Sequence, residues 1–297
     1  MSLPNFMCIG AAKSGTTTLY DLLRQHPDVY APSFKEPHYF DIPSNYCNGI
    51  DWYDNTYFNS VKQQKVIMDF TPSYLYEINA AKRIFTSLGK DVKFLVILRN
   101  PVDRAFSHYL HSKRDEYELE GFLKALSKEE FRINAARLKD DYLAELRCSY
   151  VRQGCYYSMI SKYLEYFPIE QFLFIHFEQE FVANRTASIK KIFSFLGIDY
   201  IPELNYNLKS NPASIAKFIW IKRLLKSSGW WRSIIKALIP SLKFRQILKN
   251  KIQRASIISF TPKPLNTVQK EEIYQLYFLE EINKLEQLLN RKMNWKL

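Results

Sequence analysis

Acidic residues are missing from a long stretch of this chain. Between Glu203 and Glu271 there is none, while fourteen lysines and arginines, from Lys209 to Lys270, fall in the same interval. The formal net charge of +12 is therefore regional, because the remainder holds 28 basic against 30 acidic residues. Long apolar runs are lacking too. None reaches the roughly 18 to 20 residues that cross a bilayer, and a strand-like run begins by about residue 5, leaving no room for a signal peptide. A soluble, cytoplasmic protein is expected. Cysteine is scarce: Cys8, Cys47, Cys148 and Cys155 follow neither metal-ligand spacing nor a disulfide framework, so they read as free thiols in a reducing compartment. Repeats and low-complexity tracts are absent, and a 47% apolar content is that of a globular protein rather than a disordered one.

What is present is an alternation. Asn5 to Gly10 is a short apolar run, followed by a Gly-containing turn and then by apolar positions at helical spacing over Thr16 to Gln25. Further strands are predicted at Val66 to Met68, Val92 to Leu98 and Phe172 to Phe177. Helices are predicted at Ile78 to Leu88, from Pro101, over 119–147 and 155–167, and at Thr186 to Leu196 and Val268 to Leu289. This is the pattern of βαβ units: an α/β fold, with a central parallel sheet flanked by helices on both faces. The whole of 1–297 reads as a single domain. Its basic segment at about 204–262 fits the alternation poorly and holds three of the five tryptophans, which suggests a mainly helical insertion or cap.

The first strand-to-helix turn, Gly10 to Thr18, presents backbone N–H groups and a positive helix end to an anion. In a nucleoside-triphosphate loop, GxxxxGK[ST], the lysine follows the second glycine. Here Lys13 lies two residues before Gly15. A kinase-type loop also needs a carboxylate at the end of an inner strand to hold Mg²⁺. The strand ending at Leu98 is followed instead by Arg99, a cation, which points to a ligand neutralised by side chains.

These residues carry a resemblance. Lys13-Ser-Gly-Thr-Thr-Thr-Leu is similar to the 5′-phosphosulfate loop of sulfotransferases that use 3′-phosphoadenosine-5′-phosphosulfate (PAPS). Val96-Ile-Leu-Arg-Asn-Pro-Val-Asp-Arg-Ala-Phe-Ser-His-Tyr is similar to their 3′-phosphate motif, about 85 residues further on. The resemblance implies the P-loop NTPase-like fold of that family, with Lys13, Ser14, Gly15, Thr16 and Thr17 on the 5′ end and Arg99 and Ser107 on the 3′-phosphate. Lys35-Glu-Pro-His-Tyr-Phe, Gly49-Ile-Asp-Trp-Tyr, Gly154-Cys-Tyr and the stretch Asn283 to Trp295 resemble the heparan-sulfate branch, which implies Glu36 as catalytic base and adds Tyr156 to the cofactor set. Where some carbohydrate members carry a second catalytic lysine before a Thr-Pro pair, this chain has Asp69-Phe70. Lys263 is the candidate in place of their cofactor-side loop.

The expected reaction moves a sulfuryl group in line from PAPS to an acceptor hydroxyl or amine, leaving 3′-phosphoadenosine 5′-phosphate (PAP), without a metal. Glu36 takes the acceptor proton, with His38 the runner-up, and Lys13 neutralises the leaving phosphate. Asp69 is read either as orienting Lys13 or binding acceptor, or as a structural strand-end carboxylate. His108 and His111 lack the acidic or cysteine partners of a metal site. A glycan acceptor is favoured by the branch resemblance, with a lipid or a small alcohol as the alternative. For the basic residues of 204–270, a polyanion, an anionic membrane and a plain solvated face are all open, and nucleic acid is not expected. The rival readings are a Mg²⁺-dependent nucleotide kinase and a non-catalytic relative of the fold.

Overall fold

The computed structural model describes residues 1–208, 214–216, 257–259 and 264–296. Along the first half the elements are β1 (Phe6–Gly10), α1 (Thr16–Leu23), β2 (Val29–Tyr30), α2 (Pro43–Tyr46), α3 (Ile50–Tyr57), β3 (Val66–Phe70), α4 (Ala80–Leu88), β4 (Lys93–Leu98) and α5 (Pro101–Arg114). Then come α6 (Phe122–Ser127), α7 (Glu129–Arg137), α8 (Tyr142–Cys148), α9 (Tyr156–Leu164), β5 (Phe172–His176), α10 (Arg185–Leu196), β6 (Ser214–Ala216), β7 (Ile257–Ser259), α11 (Thr267–Tyr277) and α12 (Leu279–Leu289).

Every residue of β1 is buried, as are all but the first of β4, which is what a strand covered on both faces requires. The five strands pair in parallel in the order β2-β3-β1-β4-β5. Because successive side chains point to opposite faces, the core divides in two. Met7, Ile9, Phe94, Val96 and Leu98 enter one half, with Ile84 of α4, Val102 of α5, Ile160 of α9 and Ile282 of α12. Phe6, Cys8, Leu95 and Ile97 enter the other, with Leu19 of α1 and Ile192 of α10. Helices thus cover both faces, as the alternation implies.

The chain leaves β1 toward β2 and β3 on one side and returns to β4 and β5 on the other. The carboxyl ends of β1 and β4 therefore face a crevice at a topological switch point, where open α/β sheets bind ligands. Both the Lys13 loop and Arg99 emerge there.

Three predicted helices differ from the observed ones. The stretch over 119–147 is broken into α6, α7 and α8. Asp140 is left-handed at φ 52°, and Asp141 caps α8 by accepting from the Ala144 N–H at 2.9 Å, so the backbone turns between α7 and α8. The 155–167 helix ends at Leu164, ahead of Pro168. The single helix over Val268 to Leu289 is two, broken at Phe278, whose fully buried ring packs on Gly154: a Cβ there would lie 2.7 Å from Phe278 Cε1.

Most of the basic segment, with its tryptophans and Lys263, lies outside the described residues, and so does the expected helical cap. Its flanks are described: β6 and β7 pair antiparallel, Ser214 opposite Ser259, beside α5. Among the described residues, no helix is long and apolar enough to cross a membrane.

Candidate active site

The loop after β1 is tight. Ser14 N–H donates to the Ala11 carbonyl at 3.3 Å, and Lys13 and Gly15 both take left-handed backbone, at φ 70° and 79°. Glycine is required at 15 on two counts: its φ, and a Cβ there would come within 2.9 Å of Phe177 and 3.0 Å of Phe181. No side chain caps α1, so its first N–H groups are left to a ligand, and Thr16, Thr17 and Thr18 line the crevice with Lys13.

Arg99 follows β4 and closes on this loop. Its Nη1 donates to the Lys13 carbonyl at 2.7 Å and its guanidinium lies over the Phe177 ring, 5.0 Å from the centroid. Its buried Nε has no partner among the described residues, and neither has the hydroxyl of fully buried Ser14. Unsatisfied buried donors beside a helix N-terminus suit an anion carrying several oxygens. Lys13 is pulled down to about 8, first by burial and then by the cations Arg114 and Arg99, against the opposing charges of Glu36 and Asp115.

Across the crevice, Glu36 and His38 flank Pro37, both with left-handed backbone, at φ 65° and 52°. The turn is pinned from outside: Asn45 Nδ2 donates to the His38 carbonyl at 2.9 Å, and Tyr39 N–H donates to the Tyr74 hydroxyl at 3.0 Å. The Glu36 carboxylate pairs with Lys35 and lies 3.8 Å from His38 Nε2. His38 Nδ1 donates to Asp41 Oδ2 at 2.8 Å, and Ser73 Oγ donates to the same oxygen at 2.5 Å. Burial opposes a charge on His38, but the hydrogen bond and charge of Asp41 and the charge of Glu36 outweigh it, so its pKa is raised.

Asp69 sits behind this turn, fully buried. It accepts from the hydroxyls of Thr71 at 2.6 Å, Tyr53 at 2.5 Å and Tyr74 at 3.0 Å. Burial raises its pKa to about 6 despite those three donors. Its oxygens serve hydroxyls, not Lys13, so of the readings offered for it the structural one matches the geometry. Phe70 is buried in the opposite half of the core and supplies no cation.

The crevice holds about 1590 Å³, more than the roughly 300–1,000 Å³ of one small-molecule site, so it has room for a donor and an acceptor together. Lys13, Gly15, Thr16, Thr17, Glu36, His38, Arg99 and Ser107 all line it. Ser14 and Tyr156 do not: Ser14 is buried within the loop, and Tyr156, fully buried, donates its hydroxyl to the Arg99 carbonyl at 2.8 Å. Tyr156 therefore stands behind the cation.

Sequence reasoning weighed His111 only as a metal ligand and missed the far arm of the crevice to which it belongs. His111 and Arg114 line it on α5, four and seven residues after Ser107, so helical spacing from Ser107 would have found them. Arg147, at the end of α8, also lines it, its guanidinium 3.7 Å from the centroid of Tyr117 and, among the described residues, in no ion pair. No local pattern signals that pairing. His111 is lowered to about 4 and His108 well below its usual range, mainly by burial, and Lys13 contributes to both. Both rings are thus neutral near pH 7.

A strand-to-helix loop suited to an anion, a strand-end arginine bound to it and a carboxylate across from them line one crevice. The family model described as the sulfotransferase domain matches residues 3–215, and the chain belongs to that family. Heparan sulfate glucosamine 3-O-sulfotransferase 3B1 of Mus musculus is 34% identical over 199 residues, 67% of this chain and 47% of that protein. The membrane-associated sulfotransferase kil1 of Dictyostelium discoideum is 44% identical over 111 residues, 37% of this chain and 23% of its own. The chain thus spans about half the length, or less, of these curated relatives. A crystal structure of a sulfotransferase from Alicyclobacillus acidocaldarius superposes with a TM-score of 0.68 at 26% identity, covering 98% of both chains.

Proposed function

We propose that this chain transfers a sulfuryl group from PAPS to a hydroxyl or amine of a carbohydrate. The observation that carries the reading is the junction of Lys13 and Arg99: two cations, bound to each other through the Lys13 carbonyl, at a helix N-terminus that no side chain caps. Lys13 and the α1 N–H groups hold the 5′ end, and Arg99 with Ser107 holds the 3′-phosphate. The donor supplies an activated sulfuryl group. Glu36 takes the proton of the acceptor hydroxyl as the new S–O bond forms, and Lys13 neutralises the charge left on the departing phosphate. His38, held by Asp41, flanks the base and orients it. The carbohydrate acceptor is supported by the names of the relatives, heparan sulfate sulfotransferases among them. The acceptor lies along the arm formed by His111, Arg114, Arg147 and Tyr117.

A second acceptor class has its own support. Phe106, Leu110, Phe122, Leu143 and Leu146 make part of the wall apolar, which suits a lipid or an aromatic alcohol.

Calorimetry tests the donor: PAP should bind without metal and more tightly than ADP with Mg²⁺, and the reverse order would sink the reading. Glu36→Gln should keep PAP affinity and lose transfer, whereas wild-type turnover in that variant would move the base to His38. Incubation with labelled PAPS and a panel of sugars, lipids and phenols decides the acceptor.

A further inference from the structure

The peptide joining Arg99 to Asn100 is held at its polar atoms by residues from elsewhere in the chain. The Arg99 carbonyl accepts from the Tyr156 hydroxyl at 2.8 Å, and the Asn100 N–H donates to Glu178 Oε1 at 3.1 Å. The Asn100 side chain works in two directions. Its Oδ1 accepts from the N–H groups of Val102 and Asp103 at 2.9 and 3.3 Å, starting α5, while its Nδ2 donates to the Lys296 carbonyl at 3.0 Å.

The segment that supplies Lys296 is itself fastened. Trp295 Nε1 donates to Glu178 Oε2 at 3.1 Å, so one carboxylate joins this segment to the Asn100 N–H. The Met293 carbonyl accepts from His176 Nε2 at 2.8 Å and from Gln179 Nε2 at 3.2 Å. The Trp295 ring lies against the rings of Tyr156 and His176, with centroids 6.2 and 5.5 Å away.

We propose that residues 293–296, acting through Glu178 and Asn100, form a strap that positions Arg99 for the 3′-phosphate of the donor. This rests on the donor reading above. The Arg99 guanidinium keeps a buried Nε unpartnered among the described residues, and it reaches the ligand from a strand-to-helix junction where a small backbone shift would misdirect it. Tyr156, Glu178 and Lys296 bond the junction from outside the crevice lining, and Trp295 backs them through Glu178 and Tyr156, so all four are positioning residues. A strap that merely closed the core would affect every ligand of the crevice alike. A strap that aims Arg99 affects the ligand with a 3′-phosphate.

The test compares PAP with adenosine 5′-monophosphate (AMP), which lacks only that phosphate, by calorimetry on the full chain. Glu178→Ala should raise the PAP Kd about tenfold, the size of one charge-assisted hydrogen bond partly transmitted. Trp295→Phe, which keeps a ring and loses the Nε1 donor, should raise it about threefold. AMP affinity should stay within about twofold of wild type in both. PAP and AMP falling by the same factor, or PAP unmoved, overturns the strap; if Glu178→Ala does not fold, Trp295→Phe decides alone. A wild-type protein with no preference for PAP over AMP overturns the donor reading and the strap together, whereas a preference left intact in the variants overturns the strap alone.

Discussion

At the proposed donor end of the crevice the candidate binding groups come from two strand-to-helix junctions of one sheet, β1 to α1 and β4 to α5. At the proposed acceptor end they come from a left-handed turn at Glu36 and His38, the far half of α5, and Arg147 at the end of α8. The donor end is therefore mostly backbone: left-handed Lys13 and Gly15, the α1 N–H groups, and the Lys13 carbonyl that seats Arg99. The acceptor end is mostly side chains on separately packed pieces. A backbone site tolerates little change and suits a ligand that stays the same. A side-chain site can be altered one group at a time, which is where acceptor choice in a fold of this kind can vary.

The comparison breaks most sharply at Lys13, which we assign to both binding and chemistry. Lys13→Ala should lower turnover by about 10²- to 10³-fold, as loss of a charge-stabilising group does, with a much smaller loss of PAP affinity. Its pKa, brought down to about 8, adds a second readout. At pH 8 the free amine is about half protonated, and an anionic ligand favours its charged form, so PAP binding should take up as much as about half a proton. Calorimetry in buffers of different ionisation enthalpy measures that uptake. A binding enthalpy independent of buffer would remove Lys13 from the donor site.

Gly15→Ala comes next. A side chain at φ 79° is strained, and its Cβ would press on Phe177, the ring under Arg99, so PAP affinity should fall about tenfold or more with some loss of thermal stability. If the donor end is backbone-built, this single methyl should harm binding more than any one side-chain deletion in the acceptor arm. Equal effects would erase the contrast.

The same contrast explains what was legible in the sequence. β1 with its loop and β4 with Arg99 are continuous in the chain, each a buried strand followed by the residue type its ligand demands, so pattern and chemistry coincide. Ser107, His111 and Arg114 share a face of α5 and could be reached by spacing once Ser107 was chosen. Asp41 was not legible as the partner of His38, because three residues on in a turn carries no periodic signal, and Ser73 joins that pair from the turn after β3. Arg147 over Tyr117 is a tertiary pairing. Tyr156, expected among the cofactor contacts from the resemblance, lies instead on the backbone side of Arg99, outside the crevice lining. The breaks at Phe278 and Asp140–Asp141 come from packing on Gly154 and from a cap, neither of which interrupts a helical pattern on paper.

Arg147→Ala sharpens the other half. With its guanidinium on the Tyr117 ring and in no ion pair among the described residues, Arg147 should act on the acceptor alone: an acceptor KM about five- to tenfold higher, with the PAP Kd unchanged. An equal rise for neutral and acidic sugars would assign it to packing rather than charge recognition. A change in PAP affinity would place the arm on the donor side.

The smallest effect is expected behind the Glu36 turn, at Asp69, and its sign follows from burial. Its carboxyl titrates near 6 in the fold against about 3.9 when unfolded, so the fold holds the proton more tightly than the open chain does. Raising the pH through that window therefore favours unfolding. The penalty is absent below about pH 4, grows to about pH 6 and is constant above it, at no more than about 3 kcal/mol. Asp69→Asn lacks the titration. Its melting temperature, measured against wild type, should improve between pH 4.5 and pH 7, while PAP affinity stays the same because the partners of Asp69 are the buried hydroxyls of Thr71, Tyr53 and Tyr74, none of which lines the crevice. A difference equal at both pH values would mean that the three hydroxyls keep Asp69 ionised throughout, and the Glu36 turn would then be backed by a permanent buried charge.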